Sequence, residues 1–389
     1  MDGFKWNGER LPYLDFLRGV AVLGLLFMNL PHMGLFELGY VNHTPALFSD
    51  QVADGVKAVF LDGRFRSLFC LLFGIGLYLQ SQSYQMKGLQ HKAILKSRIG
   101  WLLVFGFIHC VFIWPGDILI MYALCGYYLY ERLDYSAEKL WRRGRLFFLI
   151  GIVLMLAMTL LVSIAEETPT RDSESFTQAY EMLTSGYGTY VIQNLMVAGA
   201  TVLLFLLFAL WSLGGVMLIG IALFKSGKLV NGFTGKEVVF LLTATILVSA
   251  IDIYTSLYVT WFRDELGFFG SISGLTMALL IWQLVLKTKV YAKSNFLVTS
   301  VKRVGGMALS FYIFQSLVMT TVFRVLYPEW NLSFTQIDYL LLALAFILLQ
   351  LIIAYVYKGI FNQGPLEYLW RKLVSKKVAE VAAQEQAKA

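Results

Sequence analysis

Ten runs of about twenty mostly apolar residues follow one another along the chain, near 12–31, 57–80, 99–113, 117–131, 146–164, 195–224, 237–259, 269–287, 304–326 and 339–359. Runs of this length match the hydrocarbon core of a bilayer, where the backbone must satisfy its own hydrogen bonds and only helices or closed barrels cross. The fold class is therefore an all-α polytopic membrane protein of about ten transmembrane helices. A 58% share of hydrophobic residues and a mean hydropathy of +0.66 exclude an ordinary soluble domain. The third and fourth runs are short and the sixth is long.

Charge sets the expected orientation, because Lys and Arg collect in cytoplasmic loops. With the N-terminus inside, segments 1–11, 81–98, 132–145, 225–236, 287–303 and 358–389 hold 25 of the 32 Lys and Arg residues. The outward loops hold Lys57, Arg171 and Arg263, and the spans hold Arg18, Arg64, Arg66 and Arg324. Both termini are thus expected in the cytoplasm. The net charge of +7 is explained by this asymmetry and calls for no nucleic-acid partner. Cys70, Cys110 and Cys125 fall within spans without CxxC or Cys/His spacing, so neither a disulfide nor a metal site is expected. Asp15 and Arg18 interrupt the first run and no small-x-small site follows it, which predicts a retained helix rather than a cleaved signal.

The chain divides into an N-terminal bundle over 1–164, an outward acidic loop over 165–194 with Glu166, Glu167, Asp172, Glu174 and Glu181, a C-terminal bundle over 195–373 and a charged tail over 374–389. No repeat relates the two halves.

Within the first run, Arg18 and Asn29 are eleven residues apart. Eleven steps of a helix return to within about 20° of the start and climb roughly 16 Å, so both share one face, one toward each membrane surface. A charge inside a span turns toward protein or a cavity, and Asp15 is the expected partner of Arg18. Asp62, Arg64 and Arg66 open the second span at the outer side. Asp62 and Arg66 form either an i,i+4 pair or a ligand site, and the arginines can also snorkel to headgroups. In HCVFIWPGDILIMY, a Pro115-Gly116 turn sets His109 and Asp117 on adjacent antiparallel helices. Asp117 reads equally as a helix N-cap and as the carboxylate that orients a general base, while His109 reads as that base or as a buried histidine on a carbonyl. The outer loop adds His32 and His43.

The stretches LDFLRGVAVLGLLFMN, FLDGRFRSLFCLLFGIG, GFIHCVFIWPGDILIMYALCG, VGGMALSFYIFQS and GPLEYLWRKL resemble, in order, the motifs of the YeiB-like bacterial inner-membrane proteins that carry the domain of unknown function 418. This resemblance implies the inner membrane and no particular reaction. Where that pattern reads closer to GRMALTNY, the chain has Gly306 and Phe311 in place of Arg and Asn, leaving Gln315 and Ser316 as polar candidates on that helix. The Arg-x10 spacing is also similar to the Arg-x10-His signature of membrane-bound acyltransferase type 3 enzymes. Asn29 in the final position looks like heparan-α-glucosaminide N-acetyltransferase, whose histidine lies in the following outer loop. His32 and His43 occupy that loop here, at a different spacing.

What these likenesses imply is acyl transfer from acetyl-CoA or another acyl-CoA, bound as substrate, to an outer glycan or small-molecule acceptor. Arg18 and Asp15 would serve the donor, Asn29 the thioester carbonyl, His109 with Asp117 the proton, and Asp62, Arg64, Arg66, Gln315 and Ser316 would bind substrate. The same polar residues would suit a solute or ion transporter, or a scaffold in which they only hold the bundle together. The partners implied are the bilayer and a second copy of the chain through lipid-facing spans.

Overall fold

The computed structural model describes residues 4–387 except 5, 44, 46, 166–168, 260, 263, 265 and 266. Glu166, Glu167, Arg263 and the tail's last two residues lie outside the described residues. All the regular structure described is helical. In chain order the helices are α1 (Pro12–Gly34), α2 (Phe48–Phe60), α3 (Arg64–Met86), α4 (His91–Phe112), α5 (Leu119–Leu129), α6 (Ala137–Ala165), α7 (Glu174–Thr184), α8 (Tyr187–Leu204) and α9 (Leu210–Lys225). They continue with α10 (Lys228–Asn231), α11 (Gly235–Tyr258), α12 (Phe268–Thr288), α13 (Phe296–Gly306), α14 (Ala308–Thr321), α15 (Trp330–Ser333), α16 (Gln336–Ile360) and α17 (Pro365–Gln386).

Nine described helical segments are long and apolar enough to cross a membrane. Two of them, Tyr187–Leu204 and Leu207–Lys225, belong to one helix, because α8 passes through a π-helical turn (Phe205–Ala209) into α9 with helical backbone at every junction. Adding α3 and the short α5 gives ten passes. The long sixth run is thus a single crossing that begins before the expected residue 195. Tyr187 and Asn194, placed by sequence in the acidic loop, already lie in α8, and α7 occupies another part of that loop. Segment 287–303 likewise carries most of α13.

One end of the bundle collects the basic loops. The Phe4 amide donates to the Lys225 carbonyl at 2.8 Å, and Lys225 Nζ donates to the Leu133 and Tyr135 carbonyls, each at 2.7 Å. Trp370 Nε1 of α17 donates to the Arg98 carbonyl at 3.0 Å. The first described residues and α17 therefore sit at this basic end. At the far end, Arg324 Nη2 donates to the Ser185 carbonyl (2.6 Å) and Lys57 Nζ to Gln336 Oε1 (3.0 Å).

Local chemistry starts and stops the helices. Pro12 occupies the first turn of α1, where its missing N–H costs nothing. Thr234 with Glu237 and Thr335 with Asp338 form capping boxes on α11 and α16. Helix α14 is capped from a distance: Glu367 of α17 accepts from the Leu309 and Ser310 amides at 2.8 and 3.1 Å.

Helix α1 is central, packed on α3, α13, α14 and α16, so the two groups of spans interlock. Its tightest approach is to α13. A Cβ at Gly19 would lie 2.0 Å from the Val301 carbonyl oxygen, and one at Gly305 would lie 1.8 Å from the Asp15 carbonyl oxygen. At the neighbouring Gly306 an added Cβ would meet no atom within 4 Å.

These neighbours give a paired test. Gly305→Val should lower stability by about 1–3 kcal/mol or more through overpacking, whereas Gly306→Ala should stay within about 0.5 kcal/mol. Thermal unfolding of the two purified variants in one detergent compares them directly.

Candidate active site between two cavities

Helix α4 begins at His91, inside the segment expected to face inward, so the third run is part of a 22-residue helix and only α5, with 11 residues, is short. The last carbonyls of α4 need partners outside their own helix. Helix α8 supplies them: Tyr187 and Tyr190 hydroxyls donate to the Phe112 and Ile113 carbonyls at 2.8 and 2.9 Å, and Asn194 Nδ2 donates to Val111 at 3.1 Å. Trp114 Nε1 donates to the His32 carbonyl of α1 at 2.8 Å.

The turn buries two polar side chains completely. His109 Nδ1 and Asp117 Oδ1 are 2.8 Å apart, both side chains with no exposed surface. Asp117 Oδ2 also accepts from the Ile120 amide at 2.7 Å, so one carboxylate is helix cap and histidine partner together. A carboxylate only accepts, which makes Nδ1 the donor and leaves the Nε2 lone pair bare. Nε2 has no partner in the structure although it is buried. The imidazole is flanked by Trp114 and Tyr312, ring centroids 6.2 and 5.2 Å away.

Two cavities approach this pair from opposite ends. The one toward the basic end has a volume of about 390 Å³ and is lined by Arg18, Arg98, Arg371, Glu367 and Trp370, with Tyr122 and Tyr312 among its inner residues. Arg18 Nη1 donates to Asp15 Oδ1 at 2.9 Å, while Arg10 donates through two nitrogens to Asp15 Oδ2 at 2.9 and 2.7 Å. The Arg98 guanidinium lies 3.8 Å above the Trp370 ring. A basic vestibule lined by Arg10, Lys302, Arg303, Lys358 and Arg371 adjoins it. The second cavity, about 470 Å³, is lined by Asn29, Arg66, Asp117 and Ser271 within mainly apolar walls.

Between the two lies a thin layer containing Phe69, Tyr122 and Tyr312, with Tyr122 Oη 3.1 Å from Cys70 Sγ. His109 lines neither cavity. It touches a wall of each, through Asp117 on one side and Tyr312 on the other.

The Arg18/Asn29 face therefore has one member in each cavity, and the Asn29 side chain has no hydrogen-bond partner among the described residues. Arg66 Nη2 donates to Ser271 Oγ at 3.0 Å and pairs with no described carboxylate. Asp62 and Arg66 do not form an i,i+4 pair, because Asp62 precedes the helix: Gly63, at φ 76°, turns the chain and α3 starts at Arg64. The Asp62 side chain makes no hydrogen bond or ion pair with another described residue. Arg64 faces neither cavity. It is fully buried, donating to the Ala58, Val59 and Asp62 carbonyls and to Ser249 Oγ, and so ties the α2–α3 turn to α11.

Gln315 and Ser316 also lie away from both cavities. Gln315 Nε2 donates to the Val22 carbonyl (3.2 Å) and Gln350 Oε1 (3.0 Å), bridging α1, α14 and α16, and Ser316 donates to Tyr312 in its own helix. His32 Nδ1 faces the Phe36 carbonyl at 3.0 Å, and His43 Nδ1 faces Tyr40 Oη at 3.2 Å. Burial, aided by the hydrogen bond to Asp50, pushes the Tyr40 phenol above its ordinary range. His32 thus lies in the last turn of α1 and not in the outer loop, and both histidines are tied into local turns. The sequence reading did not single out Arg98, Tyr122, Tyr312, Glu367 and Trp370, although the motif stretches contain all but Arg98. Gly306, one of the two departures from the family pattern, opens onto the basic-end cavity where an arginine would project. Among the described residues no three His, Cys, Asp or Glu side chains gather as a metal site.

Comparison with known proteins places this arrangement in a family. The family model described as "Protein of unknown function (DUF418)" matches residues 222–377. The uncharacterized protein YeiB of Escherichia coli K12 is 30% identical, with 94% of this chain and 96% of the relative covered. The chain belongs to the YeiB-like DUF418 family. A second relative, the uncharacterized protein YxaH of Bacillus subtilis, is 27% identical over 94% of each chain. An uncharacterized 39.9 kDa protein from Bacillus acidopullulyticus is 40% identical over 119 residues. No solved structure matches the chain. The DUF418 segment itself contributes α13, α14 and α17 to the basic-end cavity, while Arg18, Asn29, Arg66, His109 and Asp117 come from the part preceding it.

The double role of Asp117 can be separated. Asp117→Asn keeps an acceptor for the Ile120 amide and should remain within about 1 kcal/mol of the parent. Asp117→Ala loses the cap and leaves a buried imidazole N–H unpaired, together about 2–4 kcal/mol. Nitrogen-15 NMR of labelled histidine should show the His109 proton on Nδ1 in the parent and moved to Nε2 in Asp117→Asn.

Proposed function

We propose that this DUF418 protein is a membrane acyltransferase that passes an acyl group, acetyl in the simplest case, from a CoA thioester at the basic end to a hydroxyl or amine acceptor reached from the far end. In this reading the basic end faces the cytoplasm of a bacterial inner membrane, because it holds most of the Lys and Arg residues. The observation that carries the proposal is a buried His–Asp pair with a bare Nε2, set between two cavities that each hold one end of the Arg18/Asn29 stripe.

Each residue has a chemical task. Arg18, Arg98 and Arg371 offer charge-assisted hydrogen bonds to the donor's phosphates, and the thioester arm reaches toward Tyr122. The acceptor oxygen or nitrogen attacks the thioester carbon while His109 Nε2 takes its proton, and Asp117 steadies the resulting imidazolium. Asn29 donates to the carbonyl oxygen as negative charge develops on it. Collapse of the tetrahedral adduct breaks the C–S bond, and the thiolate recovers the proton from His109. The products are the acylated acceptor, such as an outer glycan, and free CoA thiol. Phe69, Tyr122 and Tyr312 must part for the two substrates to meet.

Calorimetry with acetyl-CoA, coupled to assay of thiol release with candidate acceptors, tests the reading. Arg18→Gln should weaken donor binding about tenfold, a loss of one charged hydrogen bond. His109→Ala should leave that binding intact and lower turnover by about 10²–10⁴-fold. Absence of acyl-CoA binding, or full activity of His109→Ala, would sink it. Cavities lying toward opposite ends also favour a second reading, a solute path gated by the aromatic layer. Proteoliposome flux abolished by Asp117→Asn without acyl consumption would decide for that path.

A further inference from the structure

The far-end cavity is bounded by a helix pair that closes at one end and parts at the other. In the half nearer the basic end, α6 and α9 meet backbone to backbone. A Cβ at Gly144 would lie 2.9 Å from the Ile219 nitrogen, one at Gly151 would lie 2.6 Å from the Ser212 nitrogen, and one at Gly215 would lie 2.6 Å from the Phe148 nitrogen. Past Gly151 that contact ends: α6 still touches the π turn but packs little on α8. Met155, Met158 and Val162 of α6 and Thr201 and Leu204 of α8 edge the resulting gap, and all of them line the cavity. The outer faces of both helices carry exposed apolar side chains such as Leu161, Ile164 and Leu203. In a bilayer this gap opens sideways into acyl chains rather than into water.

The interior of the cavity has the complementary polarity. Among the described residues, Arg66 is held by one serine hydroxyl and the Asn29 amide has no partner. The Asp117 carboxylate reaches the same cavity, but His109 and the Ile120 amide occupy its two oxygens. Asp264, close enough to feel the Arg66 charge, accepts from the Phe268 and Phe269 amides at 2.6 and 2.8 Å. No described carboxylate bonds the Arg66 guanidinium, and an anion beside it would lower the cost of holding that charge among apolar walls. Methionine-rich walls adapt to a flexible chain. A free sugar matches neither the walls nor the sideways entry.

We propose that the far-end cavity receives an anionic lipid, a phosphate-headed amphiphile that enters between α6 and α8. Its head lies at Arg66 and Asn29 and its chain runs out through the gap. Resting on the acyl-transfer reading, the lipid is the carrier that presents the acceptor group to His109.

The test uses the full-length protein in amphipol with dodecyl phosphate carrying a diazirine near the chain end. Dodecyl glucoside and inorganic phosphate are the comparators, and acetyl-CoA binding is measured in parallel. The dodecyl phosphate should bind at least about tenfold more tightly than either comparator, and its crosslinks should map to peptides containing Met158 or Leu204. Arg66→Gln should weaken binding about tenfold, as expected for one charge-assisted contact, and Arg66→Lys should recover part of it. Thr201→Trp, which fills the gap away from Arg66, should abolish the crosslink and leave acetyl-CoA binding unchanged. Equal binding of the glucoside, equal binding of inorganic phosphate, or indifference to Arg66→Gln would overturn the proposal. Acetyl-CoA turnover with no lipid in the cavity would remove this inference alone. Lipid capture without any acetyl-CoA binding would remove the transfer reading alone.

Discussion

The close approach of α1 and α13 at Gly19 and Gly305 governs much of what surrounds it. In a bilayer no hydrophobic force drives helices together, so association rests on close packing and internal hydrogen bonds. Bare backbone at both glycines lets the helices meet at carbonyl distance and sets the height of Asp15 and Arg18 beside Gly305 and Gly306. Asp15 lies between two arginines and offsets much of the cost of holding Arg18 inside a span. From that position α1 can present a charge to one cavity and an amide to the other while also packing α14 and α16.

The α4–α5 hairpin is the second organising device. The carbonyls that end α4 have no partner in their own helix and are met by the two tyrosines and the asparagine on α8. Beside that turn a histidine and a carboxylate are fully buried, with their geometry fixed by a helix N-terminus. Asp117 cannot turn away from His109 without uncapping α5, so the imidazole orientation is coupled to the integrity of the helix beside it.

Much of this was legible in the sequence, and what was not has a physical reason. Apolar runs of bilayer length gave the ten passes, and the turn signal Pro115-Gly116 brought His109 to Asp117. The eleven-residue interval put Arg18 and Asn29 on the same face. The start of α8 escaped notice because Tyr187, Tyr190 and Asn194 are polar for the sake of a distant hairpin, and local hydropathy reads such a stretch as loop. Arg64, Gln315 and Ser316 were legible as buried polar groups, but their carbonyl and amide partners lie on helices hundreds of residues away in some cases, so sequence could not separate a helix tie from a binding group. Glu367 and Trp370 illustrate the converse: a motif in the last helix acts on the start of α14 and on Arg98, contacts that only the folded chain creates.

The π turn at Phe205–Ala209 has a consequence for how this architecture tolerates insertions and deletions. A π turn accommodates one residue more than regular α-helix, and one residue is worth about 100° of rotation. It therefore uncouples two faces that a uniform helix would lock together: the tyrosine and asparagine face toward the α4 carbonyls, and the glycine face toward α6. Straightening the turn with all its residues kept would swing Asn194 off Val111 or Gly215 off Phe148, whereas excising one residue would regularise the helix with both faces in place, so this turn is where the crossing can absorb a one-residue deletion.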